Sequence, residues 1–156
     1  MKYVQRVLQP GETVTHRAHL HWLIFLRAIG LLVAAVIVLI GEAIYHPGEP
    51  IVATAIVVIA CFFALMAVGS AFQAWLRRIT TEFAVTDRRV IFKTGLFSRH
   101  TLEMNRSKVE SVDVDQPLLG RIFGYGTVIL RGTGSTFEPI YHIADPLTFR
   151  SHITAG

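Results

Sequence analysis

The sequence predicts a hairpin of two membrane-spanning helices joined to a small antiparallel β domain, a sandwich or half-open barrel closed by a C-terminal helix. Three observations carry this expectation. Trp22 to Ala74 holds two long apolar runs separated by the turn His46-Pro47-Gly48-Glu49-Pro50. From Thr80 onward apolar and polar residues alternate, the period of half-buried strands. Asp145-Pro146 then reads as a helix start, because Asp accepts from the orphan amides at an N-cap and Pro suits the first helical position.

Taken in order, residues 1–21 look extended. Val4 to Leu8, the turn Pro10-Gly11, and Thr13 to Leu20 read as a hairpin. An isolated hairpin is marginal in water, so this segment is expected to join the sheet of the second half or to lie on the membrane. Residues 22–76 are the two-span hairpin. The first run, Trp22 to Tyr45, carries only Arg27 and Glu42, near its two ends, and the second, Ile51 to Leu76, has no charge before Arg77. At ~1.5 Å rise per residue each run reaches roughly 36–39 Å, enough to cross a hydrocarbon core of ~30 Å with some tilt. Helices buried in a small soluble domain would show a polar stripe. Arg27 and Glu42 can snorkel to opposite interfaces, and two single residues so placed make a poor ion path.

Small residues mark one face of each run. Ala60, Ala64, Ala67, Ala71 and Ala74 are spaced by four and three residues in the second, and Gly30, Ala34 and Gly41 fit a similar stripe in the first. Small residues let helix backbones approach where no hydrophobic effect drives association. These stripes are expected to pack the hairpin, or to serve a homo-oligomer.

The net charge is +4, and its position matters more than its size. Lys2, Arg6, Arg17, Arg27, Arg77 and Arg78 flank the runs on one side, whereas the 46–50 turn holds only Glu49 and His46. By the positive-inside rule both termini are cytoplasmic and the turn lies outside, as in a multi-pass protein of the cell inner membrane. The basic balance is thus a topology signal, and no nucleic-acid motif accompanies it. Cys61, the one cysteine, allows no intramolecular disulfide. The run at residue 22 is too long for a signal-peptide core.

Residues 79–156 form the β domain. Phe83/Val85, Val90/Phe92, Leu102/Met104, Val112/Val114, Val128/Leu130 and Phe137/Tyr141/Ile143 alternate with polar residues, giving six strands. Asp87-Arg88, Thr94-Gly95, Asn105 and Gly132-Thr133-Gly134 separate them. Pro139 cannot donate to a ladder, so the last strand is expected at an edge. The helix from Pro146 to about Thr154 should lay Leu147, Phe149 and Ile153 near the open end of the sheet.

Two stretches carry a family likeness. One is Phe83-Ala84-Val85-Thr86-Asp87-Arg88-Arg89-Val90-Ile91-Phe92-Lys93-Thr94-Gly95-Leu96-Phe97. The other runs from Val112-Asp113-Val114-Asp115-Gln116-Pro117 through Gly120-Arg121-Ile122-Phe123-Gly124-Tyr125-Gly126-Thr127. Together they resemble the bacterial pleckstrin-homology (PH) domain family, the small membrane proteins of YdbS/YdbT type. The resemblance covers residues 80–150 and implies a PH-like sandwich of about seven strands with a C-terminal helix and no catalytic site. The N-terminal segment is the candidate for the seventh strand. Eukaryotic PH domains bind phosphoinositides through a long basic loop between their first two strands, and here Asp87-Arg88 is a tight turn.

Other constellations point away from catalysis. His19 and His21 share a strand face and His16 the opposite one, with no acidic or cysteine partner nearby, so no metal is expected. Gly124-Tyr125-Gly126 and Gly132-Thr133-Gly134 complete no dinucleotide fingerprint and read as turn glycines. Ser107, Ser111 and Ser135 lack a nucleophile elbow. No cofactor is expected. Arg88, Arg89 and Lys93, with Arg77 and Arg78, are the candidate contacts to anionic headgroups or a partner, each basic residue near such a surface contributing about 1 kcal/mol. The expected role is a non-enzymatic, membrane-anchored binding or scaffolding protein that contacts lipids, a protein partner or its own copies, and not nucleic acid. The alternative is an accessory subunit of a membrane transport or envelope-stress system.

Overall fold

The computed structural model describes residues 2–45, 48–95, 100–133 and 137–155. Expectations that involve His46, Pro47, Leu96, Phe97, Gly134 and Ser135 lie outside these residues. Residues 1–21 and 77–156 form one unit and residues 22–76 a second. The β domain is therefore discontinuous in sequence, and residues 79–156 are only part of it.

In the second unit a 3-10 turn at Trp22–Phe25 leads into α2 (Leu26–Tyr45), and α3 (Pro50–Thr80) follows the turn. Both helices are long and apolar enough to cross a membrane. Within residues 22–76 the buried positions are alanines: Ala28 and Ala35 on α2, and Ala60, Ala67 and Ala74 on α3. Ala34, Ala64 and Ala71 are half-buried. Gly30 and Gly41 are exposed, and a Cβ at either would meet nothing within 4 Å. The stripe expected on the first helix is thus corrected: it runs through Ala28 and Ala35, because Gly30 and Gly41 fall on the outward side of the helical wheel. We expect leucine at both Ala64 and Ala67 to wedge the helices apart and to cost about 1–3 kcal/mol in detergent unfolding. Leucine at the exposed Val57 should change stability by less than about 0.5 kcal/mol. Equal effects would remove the stripe as an interface.

The first unit opens with α1 (Lys2–Val7), where a strand was expected. Five residues of mixed pattern do not separate the two, and a tertiary contact decides. The backbone amides of Tyr3 and Val4 donate to the Glu82 carboxylate at 3.5 and 3.1 Å, which satisfies orphan donors at the start of the helix. Next comes β1 (Val14–Ala18), which pairs antiparallel with β2 (Glu82–Thr86). Two further strands, β3 (Arg89–Thr94) and β4 (His100–Asn105), complete a four-stranded sheet in the order β1-β2-β3-β4. The seventh strand therefore comes from the N-terminal segment.

The second sheet is β5 (Val109–Asp115), β6 (Tyr125–Gly132) and β7 (Phe137–Ala144), in that order and antiparallel. Pro139 lies on β7, the outer strand, opposite Ile129. The far end of β7 is covered by the chain leaving β1. Leu20 bridges Ile143, the His21 amide donates to the His142 carbonyl at 2.7 Å, and the Ala144 amide donates to the His19 carbonyl at 3.1 Å. One segment thus ties the two sheets together.

Phe83, Val85, Val90, Val128, Leu130, Ile140 and Ile143 are buried between the sheets. Helix α5 (Pro146–Thr154) closes their open end and buries Pro146, Phe149 and Ile153, while Leu147 is exposed rather than packed. Asp145 holds the N-cap position and Pro146 the first turn. The expected side-chain cap is absent, because Asp145 adopts a left-handed backbone (φ 49°) that turns its carboxylate from the helix amides. At the other end of α5 the Arg106 guanidinium donates to the carbonyls of His152 and Ile153, each at 3.0 Å, matching a cation to the negative helix terminus.

Gly126 and Gly132 belong to β6 and are not turn residues. A Cβ on Gly126 would lie 2.8 Å from the Asp115 carbonyl oxygen, and one on Gly132 2.9 Å from the Met104 side chain. Close approach of backbone requires glycine at 126, whereas at 132 the flexible end of Met104 could yield and the firmer neighbour is the Lys108 carbonyl oxygen at 3.2 Å. Gly124 (φ 73°) does serve a reversal, as the left-handed C-cap of a short helix, α4 (Leu118–Phe123), which the strand pattern concealed.

Candidate functional site

The strand register sorts the basic residues to two ends of the β domain. Ala18 pairs with Phe83, so the chain leaves β1 for the apolar helices at the same end at which it returns from α3 into β2. Lys93 lies across from Glu82 at this end, and the hydroxyls of Thr81 and Thr94 meet at 3.3 Å. Arg77 and Arg78, in the last turns of α3, are exposed here. The Lys93 ammonium sits over the Tyr3 ring, 5.7 Å from its centroid. Arg88, by contrast, lies in the β2–β3 turn, a full strand away, roughly 16 Å at ~3.3 Å per residue. Its carbonyl accepts from the Arg106 amide at 3.0 Å. The five expected contact residues do not form one patch: Arg77, Arg78 and Lys93 lie at the chain-passage end, and Arg88 and Arg89 at the far end.

Arg89 is also differently employed. Its side chain donates to Glu12 from Nε at 2.9 Å and from Nη2 at 2.8 Å, to Glu103 from Nη1 at 2.6 Å, and to the Val7 carbonyl at 2.6 Å. Glu12 has no exposed side-chain surface. It also accepts from the Thr86 hydroxyl at 2.7 Å and the Gln9 amide at 2.8 Å. The guanidinium beside it holds the Glu12 carboxyl at about 2, against an ordinary 4.5, despite the opposing effect of burial. This clasp fastens α1 and the following loop over the outer face of the first sheet, where Val4, Ala84 and Ile91 form a small core with Tyr3, Val7 and Val14 packed against it. Glu82 and Thr86, expected on a solvated face, are buried beneath it. Ala84 and Ile91, apolar residues on the nominally polar face, were the signal in the sequence that something covers it.

Histidines gather near α5. His16 stacks on His152 with ring centroids 4.3 Å apart and an interplanar angle of 11°. Burial pushes His16 below the ordinary histidine value, His152 adds to this, and Asp145 opposes it. His21 is lowered chiefly by burial, against a hydrogen bond to the Phe123 backbone, and its ring lies 5.6 Å from that of Tyr125. Among the described residues no group of three or more His, Cys, Asp or Glu is arranged to hold a metal ion.

Sequence reasoning missed α4. Leu118, Leu119, Ile122 and Phe123 are 78, 59, 74 and 48% exposed. The opposite side of the helix is pinned: Gly120 is buried, a Cβ there would meet the Tyr125 carbonyl oxygen at 2.5 Å, and the Gln116 amide donates to that same oxygen at 3.3 Å.

A family model described as bacterial PH domain matches residues 23–155, which include both apolar helices and everything from β2 to α5 but neither α1 nor β1. No curated protein and no solved structure matches the chain.

Proposed function

The chain belongs to the bacterial PH domain family, and on that premise we propose that it is a non-catalytic, membrane-anchored binding module of the cell inner membrane. Its PH-type domain and both termini lie on the cytoplasmic side. It contacts anionic headgroups through Arg77, Arg78 and Lys93, and presents the rest of its surface to a protein partner or to its own copies. One observation carries this reading. The two apolar helices leave and re-enter the domain at one end, and that end bears the exposed Arg77 and Arg78 and the ammonium of Lys93. Further support comes from the helices themselves, whose large side chains are exposed along most of their length, for example Leu32, Val36, Ile40, Val58, Leu65 and Val68. Such surfaces suit lipid rather than water. Trp22 and Trp75 mark the corresponding ends of the two runs, as aromatic residues do at a membrane interface.

Native mass spectrometry of the full chain, released from bilayers containing phosphatidylglycerol, tests the proposal. We expect retained anionic lipid to fall in the R77Q/R78Q/K93Q variant and to persist in R88Q, whose side chain lies at the far end. The same spectra report copy number and stoichiometric partners. Equal retention by all variants would remove the headgroup contact and leave a protein-binding module.

A further inference from the structure

We propose that α4 is an interfacial membrane anchor: Leu118, Leu119, Ile122 and Phe123 insert into the same bilayer leaflet that the apolar helices enter. This rests on the membrane-anchored reading above and adds a second, non-spanning attachment of the β domain. The first observation is the inverted burial of α4. A short helix in a soluble loop turns its large apolar residues inward. Here Gly120 faces inward and the leucines, Ile122 and Phe123 face out. The arrangement is braced, since Gln116 and the tight contact at Gly120 fix one side and the left-handed Gly124 fixes the exit. Contiguous exposed apolar side chains of this kind mark a docking surface.

The second observation identifies the occupant. The His21 ring hydrogen-bonds to the Phe123 backbone. His21 is the residue immediately before Trp22, where the first apolar helix begins. Phe123 of α4 therefore touches the residue at which the chain leaves the β domain for its first apolar helix. His21, Tyr125 and His142 reinforce this placement, with ring centroids 5.6 and 6.2 Å apart. The third observation is charge. Between Leu118 and Phe123 the only charged residue is Arg121, which is exposed. A cation among leucines and a phenylalanine, with no acid, is the composition that seats a helix at an anionic headgroup boundary, with its apolar side ~5–10 Å deep.

Depth-dependent quenching in the full chain tests this. In a Cys61→Ser background, an environment-sensitive fluorophore is placed at Ile122→Cys or Leu119→Cys, exposed positions whose replacement disturbs no packing. Reference labels sit at Val58→Cys, within the second apolar helix, and at Glu110→Cys, an exposed residue at the far end of β5. Nanodiscs of phosphatidylcholine and phosphatidylglycerol carry a nitroxide either near the headgroup or deep in the acyl chain. We expect the labels at 119 and 122 to be blue-shifted and quenched most by the shallow nitroxide, the label at 58 most by the deep one, and the label at 110 by neither. A label at 58 that responds while those at 119 and 122 do not would overturn the α4 proposal and leave the anchored reading intact. A label at 58 insensitive to the deep nitroxide would overturn both. A blue shift at 122 that no nitroxide quenches, and that vanishes at one protein per disc, would assign α4 to a second copy of the chain and overturn the lipid assignment.

Discussion

Glu12→Ala is expected to lower the stability of the β domain by about 2–4 kcal/mol, measured by urea unfolding of the full chain in detergent. Removing one partner of a deeply buried ion pair costs about 3–5 kcal/mol, because the remaining charge is left without compensation. Here the estimate is reduced, since Arg89 is 13% exposed and keeps Glu103. Glu103→Ala should cost less than about 1 kcal/mol, as that carboxylate is 32% exposed. Equal effects of the two substitutions would show that the clasp is an ordinary surface network. The clasp also predicts a pH dependence. Glu12 is held at about 2 in the folded protein against 4.5 unfolded. A carboxyl with a depressed folded value stabilises fully above its unfolded value, and the contribution is lost as pH falls from 4.5 toward 2. The parent chain should therefore lose stability across that window more steeply than Glu12→Gln, which has no carboxylate there to titrate. The same variant should release α1 first, read as faster hydrogen exchange over residues 2–7.

Phe149→Ala is the second large effect, about 3–5 kcal/mol. The ring is fully buried and meets Phe83 edge-on at a centroid distance of 6.4 Å. It is the residue through which α5 closes the gap between the sheets, against strands from both. Because β1 precedes the apolar helices in sequence and β2 follows them, losing the α5 plug should also loosen the pairing of β1 with β2. Leu147→Ala, on the exposed side of the same helix, should change stability by less than about 0.5 kcal/mol. If Phe149→Ala were as mild as Leu147→Ala, the closure of the sandwich would have to lie elsewhere.

Local pattern determined a great deal about this protein. The two apolar helices, the strands (β1 among them, within the extended stretch Thr13 to Leu20), and the Asp145-Pro146 start of the last helix all follow from patterns that a window of a few residues contains. What failed to be legible shares one cause: partners distant in sequence. Residues 4–8 carry no pattern that favours helix over strand, and α1 forms because Glu82, some eighty positions away, accepts its first amides. Arg89 reads as one more surface cation until Glu12 is brought to it across the intervening helices. Glu82 and Thr86 look solvated because nothing nearby in the chain covers them. The apolar residues of α4 received no role from sequence, because hydrophobicity reports a preference for leaving water and is silent about what replaces the water. Sequence alone settled which segments are apolar and which alternate, since those are properties of neighbours. The tertiary structure alone decided which charges are paired, which polar residues are buried, and which end of the domain the basic residues occupy, since each depends on where a strand's register sets groups that the chain does not place side by side.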